Sequence, residues 1–208
     1  MTMLYRLDAD AGQIARAFGI AAGNDPWAGG HVSSGSFAPV ITAGREAPAG
    51  ARPEGLPWRM IPRLWGVPPP PSARDEGRAV LTVRNPDSPF WVGNLRNTEF
   101  RCLVPATAFM EWGRIDPATG KRRRHWFAPS DQPVFALAGV WKDTEIPAFA
   151  LLSCEANALL REAGCERMPV VLPPDPAVWR LWLLGGWDRA QALLQPYASG
   201  LLREVGLS

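Results

Sequence analysis

Thr107-Ala108-Phe109-Met110-Glu111-Trp112, then Asp116-Pro117-Ala118-Thr119-Gly120, then Arg124-His125-Trp126-Phe127 is the stretch that decides the fold class. The outer two runs are rich in aromatic residues and bounded by turn formers, the pattern of strands. Asp, Pro and Gly between them supply a turn, so the stretch predicts an antiparallel hairpin. Further strand-like runs lie on either side, at Phe37–Ile41, Arg59–Val67, Ala79–Arg84, Arg101–Val104, Val134–Trp141, Ala148–Leu152 and Met168–Leu172. Pro and Gly separate them.

Helical signals are fewer. Asp8 or Asp10 caps a short helix carrying Ile14 and Phe18 and closed by Gly19; Glu155–Ala163, Val178–Leu184 behind Asp175-Pro176, and Ala190–Leu194 behind Asp188 follow. This order predicts an α+β fold, one domain over residues 1–208, built on a curled or barrel-like, mainly antiparallel sheet flanked by short helices. Residues 19–57, rich in Gly, Pro, Ala and Ser, predict a long irregular region broken only by Phe37–Ile41.

With 208 residues, 47% apolar content and 20% charge, the chain has the composition of a globular domain with a real core. Three cysteines at wide spacing and no basic-then-apolar leader argue against a secreted disulfide framework, so a cytoplasmic location is expected. No apolar run approaches the ~20 residues that span a bilayer; Val178–Trp187 is interrupted by Arg180 and Gly185-Gly186. A net charge of +2 does not by itself imply nucleic acid, but all the cations except Lys121 and Lys142 are arginine, the side chain suited to bidentate phosphate contacts. Codon bias of a GC-rich genome accounts for an overall arginine excess equally well, so position must decide.

Phosphate-binding Gly loops, dinucleotide fingerprints and His/Cys spacings for zinc are absent, so neither a cofactor nor a metal is expected. Glu111 is a carboxylate in an apolar strand, where burial demands either a cationic partner, Arg84 or Arg167, or a raised pKa suited to proton transfer. Thr82-Val83-Arg84-Asn85 leads into Pro86-Asp87-Ser88-Pro89-Phe90-Trp91, which is either a phosphate- and base-binding turn or a capped turn with a buried aromatic. Lys121-Arg122-Arg123-Arg124 is a phosphate contact or a solvated hairpin face. Cys165, ahead of Glu166-Arg167-Met168-Pro169, has the setting of a small hydrophobe more than of a reactive thiol.

Taken together these stretches resemble the SRAP family, the SOS response-associated peptidases, which trap abasic sites in single-stranded DNA. Trp65-Gly66-Val67-Pro68 is similar to the family's Trp-Gly segment and Val83-Arg84-Asn85 to its arginine motif. Arg101-Cys102-Leu103-Val104-Pro105-Ala106 with Phe109-Met110-Glu111-Trp112 resembles its strongest block. Phe135-Ala136-Leu137-Ala138-Gly139-Val140-Trp141 and Arg167-Met168-Pro169-Val170-Val171-Leu172 follow in the family's order, and Leu4-Tyr5 matches how one branch begins.

The resemblance implies a cysteine at position two, exposed by loss of Met1, whose α-amine and thiol close a thiazolidine on the sugar aldehyde. An asparagine, a glutamate and a histidine complete the family's site. Here the corresponding residues are Thr2, Thr82, Glu111 and Cys165, so one of four is kept. A hydroxyl is a far poorer nucleophile than a thiolate. The resemblance therefore implies a protein that binds single-stranded or branched DNA with abasic sites through Arg84, Trp65, Trp112, Arg167 and a Pro39-Val40 wedge, with crosslinking and autoproteolysis reduced or lost. It further implies a monomer, nucleoid-associated when DNA-bound. Two alternatives stand beside it: an active variant using the Thr2 amine as a Schiff-base lyase or hydrolase, and a non-catalytic scaffold for a protein partner.

Overall fold

The computed structural model describes residues 4–43, 58–70 and 77–206. In chain order the elements are β1 Leu4–Leu7, α1 Ala11–Phe18, β2 Gly30–Ser33, β3 Phe37–Thr42, β4 Arg59–Trp65, β5 Thr82–Val83, α2 Val92–Arg96, β6 Arg101–Ala106, β7 Ala108–Ile115, β8 Arg122–Pro129, β9 Phe135–Lys142, β10 Ala148–Glu155, α3 Ala158–Glu162, β11 Arg167–Pro169, β12 Val171–Leu172, α4 Pro176–Leu184, α5 Trp187–Ala190 and β13 Leu202–Val205.

The predicted hairpin is present and organises the first sheet. β7 and β8 pair antiparallel, with Glu111 opposite His125 and Trp112 opposite Arg124. The turn closes as its residues dictate: the Asp116 carboxylate accepts from Ala118 N at 2.9 Å and the Asp116 carbonyl from Gly120 N at 2.8 Å. Gly120 sits at φ +65°, where only glycine is unstrained. β1 and β2 extend this sheet on one side and β13 on the other, giving the order β13-β8-β7-β1-β2.

The second sheet curls strongly. Its strands run β11-β10-β4-β3-β6-β9-β12, and β9 also pairs with β10. β10 is the organising strand, because three others line up along it. Phe149 faces Trp65 of β4, Leu151 and Leu152 face Thr82 and Val83 of β5, and Glu155 faces Arg167 of β11. The α+β class and the curled, mainly antiparallel sheet are therefore as expected, with β4 and β5 running parallel to β10.

The helices cover this framework with their apolar faces. Asp10 forms a capping box with Gln13, which selects Asp10 over Asp8 as the cap of α1, and Ile14, Ala15 and Phe18 turn inward. Asp175 accepts from Ala177 N at 2.7 Å with Pro176 in the first turn of α4, whose Trp182 and Leu183 are buried. No helix among the described residues is long and apolar enough to cross a membrane.

Several expected boundaries move for identifiable reasons. The strand expected at Ala79–Arg84 shrinks to Thr82–Val83, joined to the chain before it by a single Val67–Val80 bridge. The helix expected from Glu155 starts at Ala158, because Glu155 is still paired in β10 and Asn157, accepting from Leu160 N at 3.1 Å, is the cap. The run Met168–Leu172 divides at Val170, whose amide donates to Leu152 O and whose carbonyl accepts from Ala138 N, so it bridges two strands. The region expected to be irregular after Gly19 contains β2, and its residues 44–57 lie outside those described.

Candidate functional site

Alternation along the first sheet assigns chemistry to its two faces. Cross-strand partners share a face and successive residues point to opposite faces. Glu111 and His125 therefore lie side by side on the face carrying Tyr5, Phe109, Phe127 and Glu204, while Trp112 and Arg124 lie on the other. Glu111 is 2% exposed. Cys165 comes to it from the turn after α3 and is itself buried. Burial first, and then the Glu111 carboxylate, push the Cys165 thiol up to about 11. Such a thiol is protonated and neutral at physiological pH, so this position offers no ready proton acceptor.

His125 is the group that sequence reasoning passed over. Its Nδ1 lies 2.7 Å from Glu204 Oε1, while its Nε2 is buried without a hydrogen-bond partner. The ring occupies space that only glycine leaves open at position 113. A Cβ there would come within 2.6 Å of His125 Cδ2 and Nε2 and 2.4 Å of the Ala163 carbonyl oxygen. The signal was present in the hairpin register, which sets residue 125 opposite 111; Glu204 sits on a strand with no such signal.

β10 lies between the remaining expected residues. Trp65 and Thr82 face residues 149 and 151 from β4 and β5 on one edge, and Arg167 faces residue 155 from β11 on the other, where Leu152 O accepts from Val170 N. Ser153 ties the two sides together. Its hydroxyl donates to Val83 O at 3.0 Å and accepts from Arg167 Nε at 3.3 Å, while Arg167 Nη2 reaches Ser153 O at 2.7 Å. Arg167 also pairs with Glu155 at 3.0 Å, so its guanidinium is largely occupied by this edge. Arg84, one residue beyond β5, is exposed, and Thr82 is buried.

Two sequence expectations are corrected. Trp65 is fully buried, with its indole N–H donating to Leu81 O at 3.1 Å, Tyr5 edge-on at 5.0 Å and Phe149 stacked at 6.4 Å. It is a core residue and has no free face for a base. The Pro39-Val40 wedge is also lost, because both residues are buried inside β3, opposite Pro62 and Ile61 of β4. A wedge has to protrude, and these do not. Thr2 lies outside the described residues. Trp112 is half-buried and remains accessible on the face opposite Glu111.

Comparison with known proteins bears on this arrangement. Abasic site processing protein YoqW, from Bacillus subtilis (strain 168) and from Bacillus phage SPbeta, is 32% identical over 106 residues, 47% of this chain. The match spans 45% of YoqW, so less than half of that relative's length is represented. Abasic site processing protein YobE of Bacillus subtilis is 31% identical over 149 residues, 64% of each chain. A Bordetella bronchiseptica protein of known structure superposes with a TM-score of 0.73 at 20% identity, over 99% of this chain and 100% of that one. A Bacteroides thetaiotaomicron protein gives 0.72 at 19%, over 97% and 90%. These two likenesses concern the fold. The family described as SOS response associated peptidase (SRAP) matches residues 3–206, nearly the whole chain. The chain belongs to the SRAP family.

Proposed function

We propose that this protein binds single-stranded DNA carrying abasic sites and reacts with them only as far as a reversible imine. The observation that carries the reading is the thiol beside Glu111. A buried carboxylate is kept on β7, but its neighbour Cys165 is a neutral thiol, with its ionisation pushed up to about 11. The relatives' names supply the substrate class, an abasic site.

In the proposed reaction the α-amine of Thr2, freed by removal of Met1, attacks C1′ of the ring-opened sugar. The carbonyl oxygen leaves as water and a C=N bond forms. An α-amine titrating near ~8 has a useful neutral fraction for this attack. Glu111 is the group assigned to proton transfer at the carbinolamine. The Thr2 hydroxyl can add to the imine carbon to close an oxazolidine, but water reopens that ring, so no lasting crosslink accumulates. Arg84 and Trp112 are assigned to phosphate and base contacts.

The test is a denaturing gel of purified protein with a single-stranded oligonucleotide containing one abasic site, with and without borohydride. A band shift that requires the reductant supports the reading. A heat-stable shift without reductant, or no binding of any single strand in a native gel at low salt, contradicts it.

A further inference from the structure

The face of the first sheet turned away from Glu111 is a run of cations and aromatics with no acid among its paired positions. Trp112 faces Arg124, Trp126 faces Val205 and Arg203 faces Ala128, which places these residues together with Arg122 on one side. Glu111, His125 and Glu204 are all on the other. Arg122, Arg124 and Arg203 are exposed, and among the described residues none of them meets a carboxylate. The neighbouring Arg123, which points to the opposite side, is the one that pairs with Asp116, at 3.1 Å. Trp126 is 3% exposed, lies edge-on to the exposed His31 ring at 5.7 Å, and has a buried indole N–H without an acceptor.

We propose that this face is a second nucleic-acid platform, which holds the single strand flanking the position at Glu111; it presupposes the single-stranded DNA reading above, in which Trp112 contacts a base, and extends it to the arginines on the face where Trp112 lies. From Arg122 through Arg124 to the level of Arg203, opposite residue 128, the cations are spread over about 20 Å along β8 at ~3.4 Å per residue. That spread suits several successive phosphates. Guanidinium groups without carboxylate partners are free for bidentate phosphate contacts. The half-buried Trp112 ring beside Arg124 offers a stacking surface for an unpaired base, a contact that a duplex, with its base faces already stacked, does not make.

The test compares the parent protein with an R122E/R124E double variant, both positions being exposed so that folding is spared. Fluorescence anisotropy is measured with oligothymidylates of about 30 and about 8 nucleotides, lengths above and below a typical ~4–16-nucleotide site. The parent should bind the long strand at least about tenfold more tightly than the short one, and the variant should lose that advantage. The slope of log affinity against log salt for the long strand should fall by about 1 to 2. Borohydride-trapped adduct on a short abasic oligonucleotide should be the same in both proteins. If that adduct is absent from both while the length advantage still depends on the arginines, the platform is upheld and the abasic reading fails. Undiminished long-strand binding by the variant overturns the platform. So does equal competition by a duplex of the same length, or by polyglutamate, which would assign the face to duplex or to acidic protein.

Discussion

The two faces of the five-stranded sheet are made from alternate residues of the same strands and have opposite character. One carries Glu111, His125 and Glu204 among Tyr5, Phe109 and Phe127; the other carries Arg122, Arg124 and Arg203 beside Trp112 and Trp126. Glu111 lies where the chain buries it, and the cations lie where solvent and a polyanion reach them. A period of two is enough to make this division, and a shift of one residue in register would exchange the faces. The hairpin turn at Asp116–Gly120 and the close approach at Gly113 hold that register.

The contrast is broken most severely from beneath the acidic face. Trp65→Ala should destabilise the protein by about 3 to 5 kcal/mol in urea unfolding, as expected for a fully buried tryptophan. Trp112→Ala, on the accessible face, should cost far less stability but weaken single-strand binding by about 1 to 3 kcal/mol. The opposite ranking would return Trp65 to the binding surface. Gly113→Val comes next. With 2.4 Å to the Ala163 carbonyl oxygen and 2.6 Å to His125, the added side chain should cost about 3 kcal/mol and displace the His125 ring, visible in its imidazole NMR shifts.

Alkaline pH gives a smaller and graded effect. The thiols of Cys165 and Cys154 are each raised to about 11 by burial, above the ~8.5 of an unfolded thiol. The stability they confer is complete below about 8.5 and is lost as pH rises through that window toward about 11, because the unfolded chain releases its protons first. The urea midpoint should fall across that range, and Cys165→Ala should flatten part of the slope. The smallest change is expected at the hairpin tip. Asp116→Ala removes one turn acceptor and the Arg123 pair, so the urea midpoint should fall only slightly, and it leaves binding to the arginine face unaltered.

The hairpin, the order of the main strands and the capped helices α1 and α4 were legible because each rests on a local signal: alternation, a turn former or a cap. β2, α2 and β13 were not. Gly30–Ser33 holds one buried apolar residue, Val32, and becomes a strand only by pairing with β1. Leu202–Val205 exists as a strand only beside β8. At the site, Glu111 stood out as a carboxylate in an apolar run, and Cys165 as a small buried residue. Trp65 and Pro39-Val40 were misplaced, because identity as aromatic or proline does not reveal whether a curled sheet encloses it. His125 and Glu204 were missed for a related reason: their meeting depends on the pairing of three strands.

The most direct test of the central claim is the intact mass of the protein after incubation with an abasic single-stranded oligonucleotide. The expected result is free protein when no reductant is present and, after borohydride, a species equal to protein plus oligonucleotide less one water plus two hydrogens. A covalent species of protein plus oligonucleotide less water that survives heating without reductant would show that a stable ring still forms, and would contradict the account.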